Sequence, residues 1–120
     1  MIEDFLSLKN KDGYTQLHIA VVNYECGQNI FNAIATPFKE LTQEQRRSVI
    51  NIADNKGNTA IHHAATNNAT AVLQFLIDQG ANLEAVDKYG WTALHTAAAH
   101  NQEKAAEILL KAAQKKAKVL

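Results

Sequence analysis

The stretch Asp54-Asn55-Lys56-Gly57-Asn58-Thr59-Ala60-Ile61-His62 reappears as Asp87-Lys88-Tyr89-Gly90-Trp91-Thr92-Ala93-Leu94-His95, an offset of 33 residues. The match runs on: Ala64-Ala65 falls on Ala97-Ala98, Asn68 on Asn101, and Phe75-Leu76-Ile77 on Ile108-Leu109-Leu110. A third copy opens the chain. Asn10-Lys11-Asp12-Gly13-Tyr14-Thr15-Gln16-Leu17-His18-Ile19-Ala20 keeps the order of Gly, Thr, aliphatic, His and Ala, but Gly13 precedes Gly57 by 44 residues. The first unit therefore carries about eleven extra residues. A period of this length marks one supersecondary unit that cannot bury its apolar face alone and so stacks on its neighbours.

Within each unit the residues dictate their own local structure. Gly13, Gly57 and Gly90 follow polar residues and precede a helical pattern, where a tight turn needs a positive φ. Thr15, Thr59 and Thr92 stand just before the helical run, where a hydroxyl can accept from an otherwise unpaired backbone N–H. In the second unit Ile61, Ala64 and Ala65 share a face of a first helix, and Val72, Leu73, Phe75, Leu76 and Ile77 form the apolar side of a second. Gly80 is placed for a left-handed C-terminal cap, and Leu83 anchors the following segment into the stack. At the ends, Phe5, Leu6 and Leu8 are expected to cover the first unit. The last helix leaves Glu103, Glu107, Lys111, Gln114 and Lys118 to water.

The extra segment, about 28–50, carries Ile30, Phe31, Ile34, Phe38 and Leu41 near helical spacing, interrupted by Thr36-Pro37, which predicts a helix ending or kinking there. Thr42 and Gln45 are spaced for a capping box before Arg46-Arg47-Ser48-Val49-Ile50, so a further short helix is expected ahead of the second unit. The segment is read as a lengthened outer helix, with a dedicated binding element as the alternative.

A 33-residue period with Gly-x-Thr-x-Leu/Ile-His-x-Ala resembles the ankyrin repeat. The resemblance covers nearly the whole chain and implies an all-α solenoid of stacked helix-turn-helix units joined by short β-turn or hairpin loops. The proline of that family is missing from all three copies, which have Gln16, Ala60 and Ala93, good helix formers at the first helical position. One domain, 1–120, is expected: repeat one about 9–52 with the insertion, repeat two about 53–85, and repeat three with a C-terminal cap about 86–120. The resemblance further implies that His18, His62 and His95 brace the turns by hydrogen bonds. It also implies that variable positions beside the glycine and late in the first helix contact a protein partner. Those positions are Lys11, Asp12, Tyr14, Val22 and Asn23; Asn55, Lys56, Asn58, Thr66 and Asn67; and Lys88, Tyr89, Trp91, Ala99 and His100. Trp91 and Tyr89 lead this set, since interface hot spots are enriched in such rings. Lys56 and Lys88 favour an acidic or mixed-charge partner. Asn51 in Asn51-Ile52-Ala53-Asp54 resembles the inter-repeat asparagine that hydroxylases modify in some members.

Composition narrows the rest. The 120 residues hold twelve Lys plus Arg against twelve Asp plus Glu, which gives no electrostatic footprint for general nucleic-acid or anionic-membrane binding. With 47% apolar residues and 7% aromatic, the core is aliphatic and alanine-rich. The acidic start Met1-Ile2-Glu3-Asp4 is unlike a secretory signal, and no apolar run has the length of a bilayer span. The one cysteine, Cys26, cannot form an internal disulfide and is read as a packing or surface thiol. Three histidines one repeat apart cannot share a zinc ion, because neighbouring helices sit about 8–10 Å apart while each nitrogen must approach the ion to about 2.0–2.1 Å. His63 and His100 are read as the more exposed histidines. No Gly-x-Gly-x-x-Gly, Gly-Lys-Ser/Thr or His-Glu-x-x-His is present, so no enzyme activity, cofactor, metal or small-molecule substrate is expected. Lys115-Lys116-Ala117-Lys118 fits a minimal nuclear-import pattern, but is read first as cations set against a helix dipole. The expectation is a monomeric, non-catalytic adaptor or inhibitor in the cytoplasm, with the nucleus or a host cytosol as other settings. Its alternative is a regulatory or targeting piece of a larger system, such as an exported bacterial effector engaging a host protein.

Overall fold

The computed structural model describes residues 6–22, 36 and 38–119, and the side chains of all of these except Val22 and residues 116–119. Phe5, Asn23, Cys26, residues 28–35 of the stretch expected to form a helix that ends or kinks at Thr36-Pro37, Pro37 itself and the side chains of Val22, Lys116 and Lys118 lie outside the described residues. Six helices and no strand fall within them: α1 Gln16–Val22, α2 Gln43–Ile50, α3 Ala60–Thr66, α4 Thr70–Asp78, α5 Ala93–Ala99 and α6 Glu103–Val119. The first helices α1, α3 and α5 pack side by side in one layer. Helices α4 and α6 pack together in a second layer, each also against its own first helix.

The helices start where the turn chemistry puts them. α1, α3 and α5 begin at Gln16, Ala60 and Ala93, directly after the motif threonines. Thr59 and Thr92 hold extended backbone (φ −88° and −81°), and the Oγ1 atoms of Thr15 and Thr92 accept from the N–H of His18 and His95. Histidine stands three residues on, where a capping box ordinarily carries Glu or Gln, and its Nδ1 accepts the N–H of Thr15, Thr59 or Thr92 in return (3.1–3.2 Å). The ends are equally determined. Asn68 (φ +53°) and Asn101 (φ +57°) occupy left-handed positions after α3 and α5, and Gly80 (φ +99°) does so after α4. In each case the next N–H bonds back five residues: Ala69 to Ala64 O, Gln102 to Ala97 O and Ala81 to Leu76 O. The Asn68/Asn101 match in the repeat thus has a conformational cause, since asparagine tolerates this region better than other side chains.

The core runs between the layers. Ala20, Ala64 and Ala97, equivalent in the three repeats, are all buried, and their small size lets the first helices approach one another. Val72, Leu73 and Leu76 of α4, with Leu109 and Ala105 of α6, close the other side, while Phe75 and Ile77 are half-buried against it. Truncating a residue such as Leu76 to Ala costs about 2–5 kcal/mol in a core of this kind. Leu6 is buried as expected, but Leu8 is 58% exposed and takes no part in covering the first repeat. It lies two residues beyond Leu6, where the chain turns away toward the Asn10 loop.

The short helix ahead of repeat two is α2, and its capping box is complete: Gln45 N donates to Thr42 Oγ1 (3.2 Å) and Thr42 N to Gln45 Oε1 (2.9 Å). Phe38 and Leu41, from the described end of the insertion, are buried, with Phe38 tilted against Phe75 at 6.0 Å. Arg46 fastens the segment by donating to Leu41 O, Lys39 O and Gln79 Oε1. The stem of Arg47 lies across Gly80, so α2 sits beside the end of α4.

Candidate interaction surface

Each turn is organised by one inward-facing side chain at its first residue. Asn10 Oδ1 accepts from the N–H of Asp12 and Tyr14, Asp54 Oδ1 from Lys56 and Asn58, and Asp87 Oδ1 from Tyr89 and Trp91, all at 2.9–3.0 Å. The same residues close the turn through the backbone: Asn10 N to Tyr14 O, Asp54 N to Asn58 O and Asp87 N to Trp91 O. Gly13, Gly57 and Gly90 (φ +84°, +81°, +81°) complete the reversal. The residues between are thrown outward.

The tips are tied to one another. Asn55 N donates to Asp12 O (3.1 Å) and Lys88 N to Lys56 O (3.0 Å), while Asn55 Nδ2 adds a bond to Lys11 O (2.9 Å). Behind the tips the histidines span the repeats. With Nδ1 accepting from the backbone of its own threonine, each ring carries its proton on Nε2. His18 Nε2 then donates to Asn58 O (3.1 Å) and His62 Nε2 to Trp91 O (2.9 Å). His95 has the same clasp with Thr92 but is exposed. The bracing role implied by the resemblance is therefore what the geometry displays, and it engages both nitrogens of His18 and His62.

Between repeats one and two, four polar or aromatic groups come together. His63 Nε2 lies 2.9 Å from Asp54 Oδ2, and its ring stands edge-on to those of His18 and Tyr14 at 5.6 Å from each. Tyr14 stacks on His18 at 5.8 Å. Burial works to raise the pKa of Asp54, but the hydrogen bond with His63 and those from the Asn58 and Lys56 N–H groups outweigh it, holding the carboxyl below its ordinary value. Burial, reinforced by nearby His63, lowers the pKa of His18. His63, read as one of the more exposed histidines, is more open than His18 and His62, each 1% exposed, but less so than exposed His95: its side chain is 14% exposed, because repeat one packs over it and Asp54 holds it. His100 is exposed, with Nδ1 donating to Thr96 O (2.9 Å).

The surface positions named from sequence divide into two groups. Lys11, Asp12, Lys56, Lys88, Tyr89 and Trp91 are exposed at the tips, and Ala99 is exposed on α5. Tyr89 is 72% and Trp91 41% exposed, with Lys88 Nζ 5.0 Å from the centre of the Tyr89 ring. Of the other described positions, Tyr14, Asn58 and Thr66 are half-buried, while Asn55, Asn67 and His100 are exposed but hydrogen-bonded within the fold. Tyr14 is half-buried on the histidines, Asn55 links two tips, and Asn58 offers its carbonyl to His18. Thr66 Oγ1 donates to His62 O and its carbonyl accepts from Gln102, while Asn67 caps the end of α3. Asn51 is half-buried, its Oδ1 accepting from Asn82 N (2.8 Å). The one sequence signal for these turn-organising side chains is their recurrence as Asn10, Asp54 and Asp87 at the head of each motif.

Among the described residues no group of three or more His, Cys, Asp or Glu is placed to hold a metal ion, and no helix is long and apolar enough to cross a membrane. Comparison with protein families finds a match over residues 31–119 to the model described as ankyrin repeats (3 copies).

Proposed function

The chain belongs to the ankyrin-repeat family, whose members generally act as protein–protein interaction modules, and on that premise we propose that its turn tips and first helices bind a protein partner without catalysing a reaction. The molecule acts as an adaptor or inhibitor in a cytoplasmic setting. The observation that carries this reading is the third tip. Lys88, Tyr89 and Trp91 are held outward by a backbone that Asp87 and Gly90 fix from within, so two large rings are presented at little cost in ordering on binding. The neighbouring tips add Lys11, Asp12 and Lys56 along the same edge, joined by the bonds between tips. Cations beside aromatic rings favour a partner surface that is acidic or mixed in charge.

The test is affinity capture from cytosolic lysate with the wild type and with Tyr89→Ala/Trp91→Ala, after circular dichroism confirms equal helicity and melting. Truncation leaves the Trp91 carbonyl available to His62, so the fold is retained. A specific partner captured by the wild type and weakened about thirtyfold or more in the double variant supports the assignment, a loss of about 2 kcal/mol being usual for a hot spot. The same partner bound equally by both proteins refutes it.

A further inference from the structure

A cleft of about 830 Å³ opens on the second-helix layer, between the end of α2, the end of α4 with its following loop, and the middle of α6. Its half-buried lining is mostly apolar, with Ile77, Ala81, Leu83, Ile108 and Ala112, and Asn51 is the polar side chain among them. Its rim is cationic, formed by Arg47, Lys111 and Lys115, all exposed. The opposing acid is Asp78, whose Oδ1 accepts from Gln74 Nε2 (3.0 Å). Among the described residues the three cations make no ion pair, and the Arg47 side chain lies across Gly80 through Cγ, Cδ and Nε.

The arrangement on α6 is specific. Ile108, Lys111, Ala112 and Lys115 follow the i, i+3, i+4, i+7 spacing of one helical face, so apolar and cationic residues alternate along the wall of the cleft. Lys111 and Lys115 are four residues apart, a spacing at which like charges oppose helix formation. In a chain with twelve basic and twelve acidic residues, three cations that make no ion pair among the described residues, set around a mostly apolar lining with Asp78 as its one acid, form a local excess that a complementary anion offsets. The volume admits a few side chains and not a folded domain.

We propose that this cleft binds a short acidic, amphipathic peptide segment of a partner protein, aliphatic side chains seated on Ile77, Leu83 and Ile108 and carboxylates facing Arg47, Lys111 and Lys115. The site belongs to the second-helix layer and is separate from the turn tips, so one chain can hold two partners, or two parts of one. It does not depend on the tip assignment.

The experiment uses the full chain and three fluorescein-labelled twelve-residue probes: one of Glu and Leu in helical pattern, one with every Glu replaced by Lys, and one with every Leu replaced by Ser. Binding is followed by fluorescence anisotropy and mapped by amide chemical shifts. The expected result is saturable binding of the Glu–Leu peptide, at least about tenfold weaker binding of either control, and shifts centred on residues 77–83 and 108–115. Lys111→Glu/Lys115→Glu should weaken it at least about tenfold, Lys111→Arg/Lys115→Arg should retain it, and Tyr89→Ala/Trp91→Ala should leave it unchanged. Should the charge-reversed pair unfold, Lys111→Gln/Lys115→Gln serves in its place. No saturable binding, equal binding of the Lys–Leu peptide, indifference to the lysine changes, or shifts centred on the tips would each overturn the proposal.

Discussion

Gly57 and Gly90 share one backbone conformation, φ +81°, and differ in what lies over them. A Cβ on Gly57 would come within 2.9 Å of Lys88 N and 3.0 Å of Asp87 Cα, both backbone atoms of the next tip, whereas a Cβ on Gly90 meets nothing within 4 Å. Alanine at either position pays for a left-handed backbone, about 1–2 kcal/mol, offset in part by about 0.4–1 kcal/mol from a stiffer unfolded chain. Gly90→Ala should therefore destabilise by about 1 kcal/mol. Gly57→Ala must also push repeat three away from repeat two, straining the Lys88 N to Lys56 O bond (3.0 Å), which adds the loss of a hydrogen bond and of close packing, for about 3 kcal/mol in all. An unfolding entropy of about 0.25 kcal/mol/K for a domain of this size converts these to falls in melting temperature of about 4 °C and about 12 °C. Thermal and urea unfolding followed at 222 nm measures both. Equal costs, or a larger cost at Gly90, would falsify the claim that the tips are locked through backbone contact.

Two further perturbations probe the histidines. His62→Ala removes a buried ring bonded to Thr59 and to Trp91 O and should cost about 3 kcal/mol, while His95→Ala removes an exposed ring that clasps only Thr92 among its described partners and should cost about 1 kcal/mol; similar melting temperatures for the two variants would defeat the account of the ladder. Stability should also depend on acid in two steps. The pKa of His18 is lowered in the fold, so the unfolded chain takes up that proton first and stability falls as pH drops below the ordinary value of 6.5. The pKa of Asp54 is lowered too, so its contribution is complete above 3.8 and is lost as pH falls through its folded value. Urea midpoints from pH 8 to 3 should decline along both limbs. His18→Gln should flatten the first and Asp54→Asn the second, and a wild type that gains stability between pH 7 and 5 would contradict the first.

The stacked helices were legible because their signals are local and repeated: glycine at the turn, threonine at the cap, histidine three residues later. Each needs only neighbours within one unit, and three copies agree. The Asp54–His63 pair was not legible in this way. The position of His63 holds Ile19 in the first repeat and Thr96 in the third, so periodicity gives it no role, and its burial depends on how repeat one lies over it. Asn68 and Asn101 could be aligned, but their function requires a φ value that a letter does not carry. The cleft was hidden for a third reason. Arg47 comes from the segment that breaks the period, while Lys111 and Lys115 look like ordinary solvent-facing charges until α2, α4 and α6 are set side by side.

The turns hold themselves in shape with groups that point inward, and the residues they display contribute little to that shape. Asn10, Asp54 and Asp87, with the glycines and the threonine–histidine clasps, set the path of the chain, while Lys11, Asp12, Lys56, Lys88 and Tyr89 lean on it from outside. Frame and text are thus written in different residues. Over many generations the outward letters can be exchanged one at a time, each new spelling tried against a new partner, with the molecule remaining folded at every step.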